Sequence, residues 1–127
     1  MSRAVFPALF CGGVTTLREL RELQRLAEQV QFRSDQTIFS DREQADTVFG
    51  LSSGIVRLYK LLPDGRRQIL AFALPGDFLG MPLDKKRKFS ADPIGPVTVC
   101  RFARDELTRF ILSSPNMMRR IIEFAVR

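Results

Sequence analysis

The stretch from Val48 to Met81, VFGLSSGIVRLYKLLPDGRRQILAFALPGDFLGM, constrains the fold more than any other part of the chain. After Gly54, the run Ile55-Val56-Arg57-Leu58-Tyr59-Lys60-Leu61 alternates between two faces. Ile55, Arg57, Tyr59 and Leu61 point one way, and Val56, Leu58 and Lys60 the other. Leu62-Pro63-Asp64-Gly65-Arg66 supplies a turn: proline fixes φ at the first corner, aspartate bonds its own backbone, and glycine takes the positive φ that reverses the chain. Gln68 to Leu74 returns as a second strand, and Pro75-Gly76-Asp77 ends it. A β-hairpin of this kind needs a sheet to join, which rules out an all-helical fold.

At 127 residues the chain is one domain with a single core, and 45% hydrophobic with 27% charged residues is ordinary globular composition. No run approaches 18 apolar residues, so no transmembrane helix and no membrane partner are expected. Residues 1–14, MSRAVFPALFCGGV, lack a signal-peptide cleavage site and read as a flexible N-terminal arm. Two cysteines, Cys11 and Cys100, make no disulfide framework, and a cytoplasmic setting follows. The chain has no histidine. That excludes a structural zinc site of the usual ligands, a haem on a proximal histidine, and a Ser-His-Asp or Cys-His triad. With no carboxylate pair set for acid–base work either, an enzyme is not expected and no metal is assigned.

A first helix is signalled from Thr16 to Gln29. Thr16 and Glu19 form a capping box, and Leu17, Leu20, Leu23, Leu26, Ala27 and Val30 recur at helical spacing. Short strands follow at Gln31–Arg33, Thr37–Phe39 and Thr47–Leu51, then the hairpin, then Lys88–Ala91 and Pro96–Phe102. Many short antiparallel strands with regular turns imply a jelly-roll-like barrel. A helix from Ala103 should bury Leu107, Phe110, Ile111 and Leu112, with Ser113-Ser114-Pro115 ending it and Ser114 capping the next. Met117, Met118, Ile121, Ile122 and Ala125 then form an apolar stripe that stops at Arg127 in mid-pattern, as in a chain that was cut.

From Leu17 to the end, this order of helix, β-roll, short helix and start of a long helix resembles the sensor domain of the Crp/Fnr transcription regulators. The carrying residues are the Asp64-Gly65-Arg66 hairpin and Gly76-Asp77-Phe78-Leu79-Gly80. The resemblance implies a mostly β fold, a double-stranded β-helix with flanking helices, spanning 15–114, and a dimerisation helix starting at 115–127. It also implies a homodimer through Met117, Met118, Ile121, Ile122 and Ala125, and DNA binding by a helix-turn-helix domain absent from these residues.

Family members that bind cyclic nucleotide carry Gly-Glu for the ribose and Arg-Ser or Arg-Thr for the phosphate. A cyclic phosphate wants a bidentate guanidinium and a buried ribose wants an acceptor. Here Gly80 is followed by Met81, Phe89 stands at the arginine position, and only Ser90 is kept, before Ala91. Cyclic AMP in the usual mode is therefore not expected. The basic run Lys85-Lys86-Arg87-Lys88 leaves room for another small anionic effector, or for none. The oxygen-sensing branch holds an iron–sulfur cluster on four cysteines; Cys100 falls near the late one and Cys11 stands alone in the arm, so a cluster is argued against and Cys11 is at most a redox-sensitive thiol. Two alternatives remain: a genuine cyclic-nucleotide-binding module, and a small basic nucleic-acid-binding β-barrel, which the net charge of +6 allows.

Overall fold

The computed structural model describes residues 17–80, 85–116 and 118–119. Its elements are α1 (Leu17–Leu26), β1 (Glu28–Phe32), β2 (Thr47–Leu61), β3 (Arg67–Ala73), β4 (Ser90–Ala103) and α2 (Arg104–Leu112). The four strands form one antiparallel sheet in the order β1-β4-β2-β3. Isolated bridges Phe39↔Ala91, Gln44↔Lys86 and Gly50↔Phe78 fold the connecting loops back on the sheet and close the roll. This is the mostly β architecture expected of the sequence.

Alternation along β2 and β4 explains where the core lies. Val48, Cys100 and Phe102 face the helices and pack with Leu23, Leu107, Phe110 and Ile111. Phe49, Leu51, Val97 and Val99 point into the roll with Phe39, Val56 and Leu79. These strand ends are buried on both faces, so they read as nearly continuous apolar runs. Towards the hairpin the outer face is covered at Tyr59 and Ser90, while Ile55, Leu61, Ile69 and Phe72 stay exposed on it.

Several boundaries differ from the sequence reading. The first helix ends at Leu26, and Glu28 to Val30 enter β1 as partners of Arg101, Cys100 and Val99. Strand pairing outcompetes helix continuation once β4 offers a ladder. Thr47–Leu51 and Gly54–Leu61 are one bent strand, with register shifts against β4 between Leu51 and Ile55. Gly54 makes the bend at φ +93, and a Cβ there would stand 2.7 Å from the Pro96 carbonyl oxygen. Lys88–Ala91 and Pro96–Phe102 likewise merge into β4. Pro93 and Pro96 are tolerated because β1 pairs only from Val97 onward, leaving that side of β4 an open edge. Thr37–Phe39 contributes only the bridge at Phe39.

The helix after β4 starts at Arg104 and buries Leu107, Phe110 and Ile111, but Leu112 is 66% exposed, since it falls on the far side of the helical stripe. Ser114 does precede the next helical turn: its carbonyl accepts from the Met118 N–H at 3.0 Å. Its hydroxyl is used differently, donating to Glu19 Oε2 at 3.1 Å and tying the two helical ends together. The other half of the proposed capping box, Thr16, lies outside the described residues.

Candidate effector site

The segment after β3 is held by backbone bonds to β2. Gly76 N–H donates to Leu51 O at 3.0 Å, Leu51 N–H to Asp77 O at 2.9 Å, and Leu79 N–H to Phe49 O at 3.0 Å. Asp77 Oδ2 accepts from Leu74 N–H at 2.9 Å and fixes the turn. Phe78 and Leu79 are buried on either side of β2's plane, in different core clusters. Gly80 follows at φ +106, with only Phe89 near its missing Cβ, at 3.8 Å. The glycine is needed for its backbone conformation and not for space.

Across from this segment, residues 85–87 pair with 43–45. Arg87 N–H donates to Glu43 O and Ala45 N–H to Lys85 O, each at 2.8 Å. That puts Gln44 and Lys86 side by side on one face and Ala45 and Arg87 on the other. Ala45 is buried, and Arg87 turns inward. Its guanidinium carbon lies 4.4 Å from the Phe39 ring centre and 5.4 Å from that of Phe49. Nη2 donates to Thr47 Oγ1 at 3.1 Å. Phe39 in turn stacks on Phe49 at 6.0 Å and meets Phe89 at the same distance. The result is a row of three aromatic rings with one guanidinium laid over two of them.

Of the sequence-predicted residues, Gly80, Lys86, Arg87, Lys88 and Phe89 line one hollow together with Phe39 and Leu79. It holds about 10 Å³, roughly one water. Ser90 is elsewhere. It pairs with Tyr59 on the opposite side of β4 from Phe89 and Ala91, is 4% exposed, and its Oγ accepts from the Asp41 N–H at 2.9 Å. Ala91 is packed in the core, Lys85 is exposed, and Met81 lies outside the described residues. Sequence reasoning missed Phe39, Phe49 and Thr47, which complete the Arg87 seat. It also missed Asp41 as the partner of Ser90, because no local pattern joins positions 49 residues apart.

Beside Ser90, Arg67 bridges Asp92 at 3.7 Å while its guanidinium sits 4.7 Å over the Tyr59 ring. Burial and a hydrogen bond to Asp92 hold the Tyr59 phenol above its ordinary value. Cys100 is fully buried on β4, with Sγ 3.3 Å from Ser52 Oγ; desolvation pushes its thiol up although the Ser52 bond works against the shift. It is the small buried hydrophobe that the sequence suggested. Cys11, Ile121, Ile122 and Ala125 lie outside the described residues, as does Met117. Met118 is half-buried against the helical cluster of its own domain. A larger hollow, about 620 Å³, opens between α1 and α2. Its Arg25 and Glu22 pair with each other at the surface, and it shares no residue with the site at Gly80.

Comparison with known proteins then places the chain. The family model of the cyclic nucleotide-binding domain matches residues 29–114. The chain belongs to this family, on its Crp/Fnr branch. It is 53% identical over 109 residues to the nitrogen fixation regulation protein FixK of Bradyrhizobium diazoefficiens, covering 86% of this chain and 46% of that protein. It is 55% identical over 106 residues to the transcriptional activatory protein AadR of Rhodopseudomonas palustris, covering 84% and 44% respectively. The solved structure of FixK2 from Bradyrhizobium japonicum superposes with a TM-score of 0.73 at 33% identity, over 79% of this chain and 50% of that one. The chain thus spans about half the length of the relatives it matches.

Proposed function

We propose that the chain is the sensing and dimerising half of a DNA-binding transcription regulator, not an enzyme, and that it works without cyclic nucleotide. The observation that carries the second part is the hollow at Gly80. Pockets that enclose a small ligand run to roughly 300–1,000 Å³, and here Phe89, Arg87 and Leu79 leave about 10 Å³. The remaining anchor of the expected pair, Ser90, already accepts the Asp41 N–H. The Arg87 guanidinium lies over Phe39 and bonds Thr47, where it stabilises the roll as an internal cation–π contact. A roll packed in this way needs no effector to order it. Control would then fall to dimerisation, or to a different small anion at the Lys85–Lys88 rim.

The regulator reading draws support from relatives named as a nitrogen fixation regulator and a transcriptional activator. Homodimerisation is assigned to Met117, Met118, Ile121, Ile122 and Ala125, and DNA contact by a helix-turn-helix to residues beyond this chain. No helix among the described residues is long and apolar enough to cross a membrane. The test is the reading frame downstream of the Arg127 codon in the source genome. A helix-turn-helix domain is expected there. A kinase, a transporter or any other catalytic domain in its place would overturn the reading.

A further inference from the structure

We infer that the exposed basic face formed by Arg42, Lys85, Lys86 and Lys88, at the rim of the hollow, is a contact surface for the phosphate backbone of duplex DNA. Arg42, Lys85, Lys86 and Lys88 are all exposed. None of the four takes part in an ion pair among the described residues, whereas Arg25, Lys60, Arg66 and Arg67 each face a carboxylate. The four are held on a fixed frame and do not hang from a loose loop. Two backbone bonds of 2.8 Å join 85–87 to 43–45, and Arg42 N–H donates to Arg87 O at 3.0 Å. Arg87 is pinned by the Phe39 and Phe49 rings, which anchors the segment that carries Lys86 and Lys88. Arg42 alone among the described non-glycine residues takes a positive φ, +72.

The chemistry of the face selects the partner. Its charges are compact ammonium groups and one guanidinium, and its aromatic neighbours Phe39 and Phe89 are turned into the roll. Protein interfaces are built around apolar and aromatic anchors and are poor in lysine. Single-stranded nucleic acid is gripped by stacking on exposed rings. A set of exposed cations with no ion-pair partner among the described residues and with neither feature suits a regular line of phosphates read for charge alone.

Binding of a fluorescent duplex of arbitrary sequence to the whole 127-residue chain, measured over a series of salt concentrations, tests it. With four cations and a slope of about −0.9 per phosphate, the plot of log K against log salt should fall with a slope of about −3.6, which is a loss of about 150-fold between 50 and 200 mM salt. Changing Lys85→Gln, Lys86→Gln and Lys88→Gln together should reduce the slope to about −0.9, with the thermal melt unchanged. A second variant, Arg18→Gln, Arg21→Gln and Arg33→Gln, removes the same charge from elsewhere and should keep the steep slope. Absence of salt-dependent duplex binding by the wild type would overturn the inference. So would an equal loss in the two triple variants, which would make net charge and not this face the cause. A polyglutamate that binds more tightly than duplex and loses that binding in the lysine variant would move the surface to an acidic protein partner and also overturn it.

Discussion

Arg87 shows how one residue decides what the roll can do. A guanidinium taken into an interior needs compensation, and here two aromatic faces and the Thr47 hydroxyl supply it. Arg87→Lys should cost about 1 kcal/mol, because an ammonium cannot lie flat on the rings. Arg87→Ala should cost about 2 kcal/mol through the lost contacts and the space left behind; urea unfolding of the three proteins gives the order. The sequence presents Arg87 as one of four basic residues in a row. Nothing in the row tells which member turns inward, since that is set by pairing with Glu43 and Ala45, some forty positions away. The missing nucleotide anchors, by contrast, are read at Met81 and Phe89 from the resemblance alone, and Met81 lies outside the described residues. Cys100 gives a pH prediction. Its thiol is held above the ordinary 9.0 by burial, so folding favours the protonated form. That contribution is intact below about pH 9 and is lost as pH rises towards the folded value, because the unfolded thiol ionises first. Cys100→Ala should therefore narrow its stability deficit against the wild type between pH 7.5 and pH 9.5 in matched urea melts. A constant deficit would contradict the burial argument.

At the scale of elements, the hairpin, the turn and the helix of 104–112 could all be read locally, because alternation, Pro-Asp-Gly chemistry and 3.6-residue spacing are local signals. Strand length could not. Glycine and proline punctuation at Gly54, Pro93 and Pro96 looked like strand ends. In the folded sheet they are a bulge and an open edge within continuous ladders. The first helix ends at Leu26, short of the predicted Gln29, for a related reason: the register of β1 against β4 is fixed only by the whole sheet. Gly54 is the position where the element scale is most exposed to a single change. Gly54→Ala meets a positive φ and a contact of 2.7 Å to backbone, and should destabilise by about 2–4 kcal/mol. Gly65→Ala, at φ +89 but with open space around it, should cost only the conformational part, about 1 kcal/mol. Equal losses in thermal melts of the two variants would mean that β2 does not bend as described.

For the whole molecule, we propose a roll that needs no effector to order it and a homodimer formed through Met117, Met118, Ile121, Ile122 and Ala125. Burying an isoleucine side chain such as Ile121 or Ile122 in a dimer interface would contribute about 1.5–3 kcal/mol, enough for a weak dimer. Sedimentation should show dimers for the wild type and a shift to monomer for Ile121→Ser with Ile122→Ser; an equally stable dimer in the variant would place the interface elsewhere. The central claim is that the interior is already filled, and calorimetry tests it most directly. Titrating the chain with cyclic AMP and with cyclic GMP should give no saturable heat up to about 1 mM, the range of the weakest specific binding. A micromolar affinity that disappears on Lys88→Gln or Ser90→Ala would contradict it, and would mean that Lys88 and Ser90 together hold the phosphate in a pocket that opens when the ligand arrives.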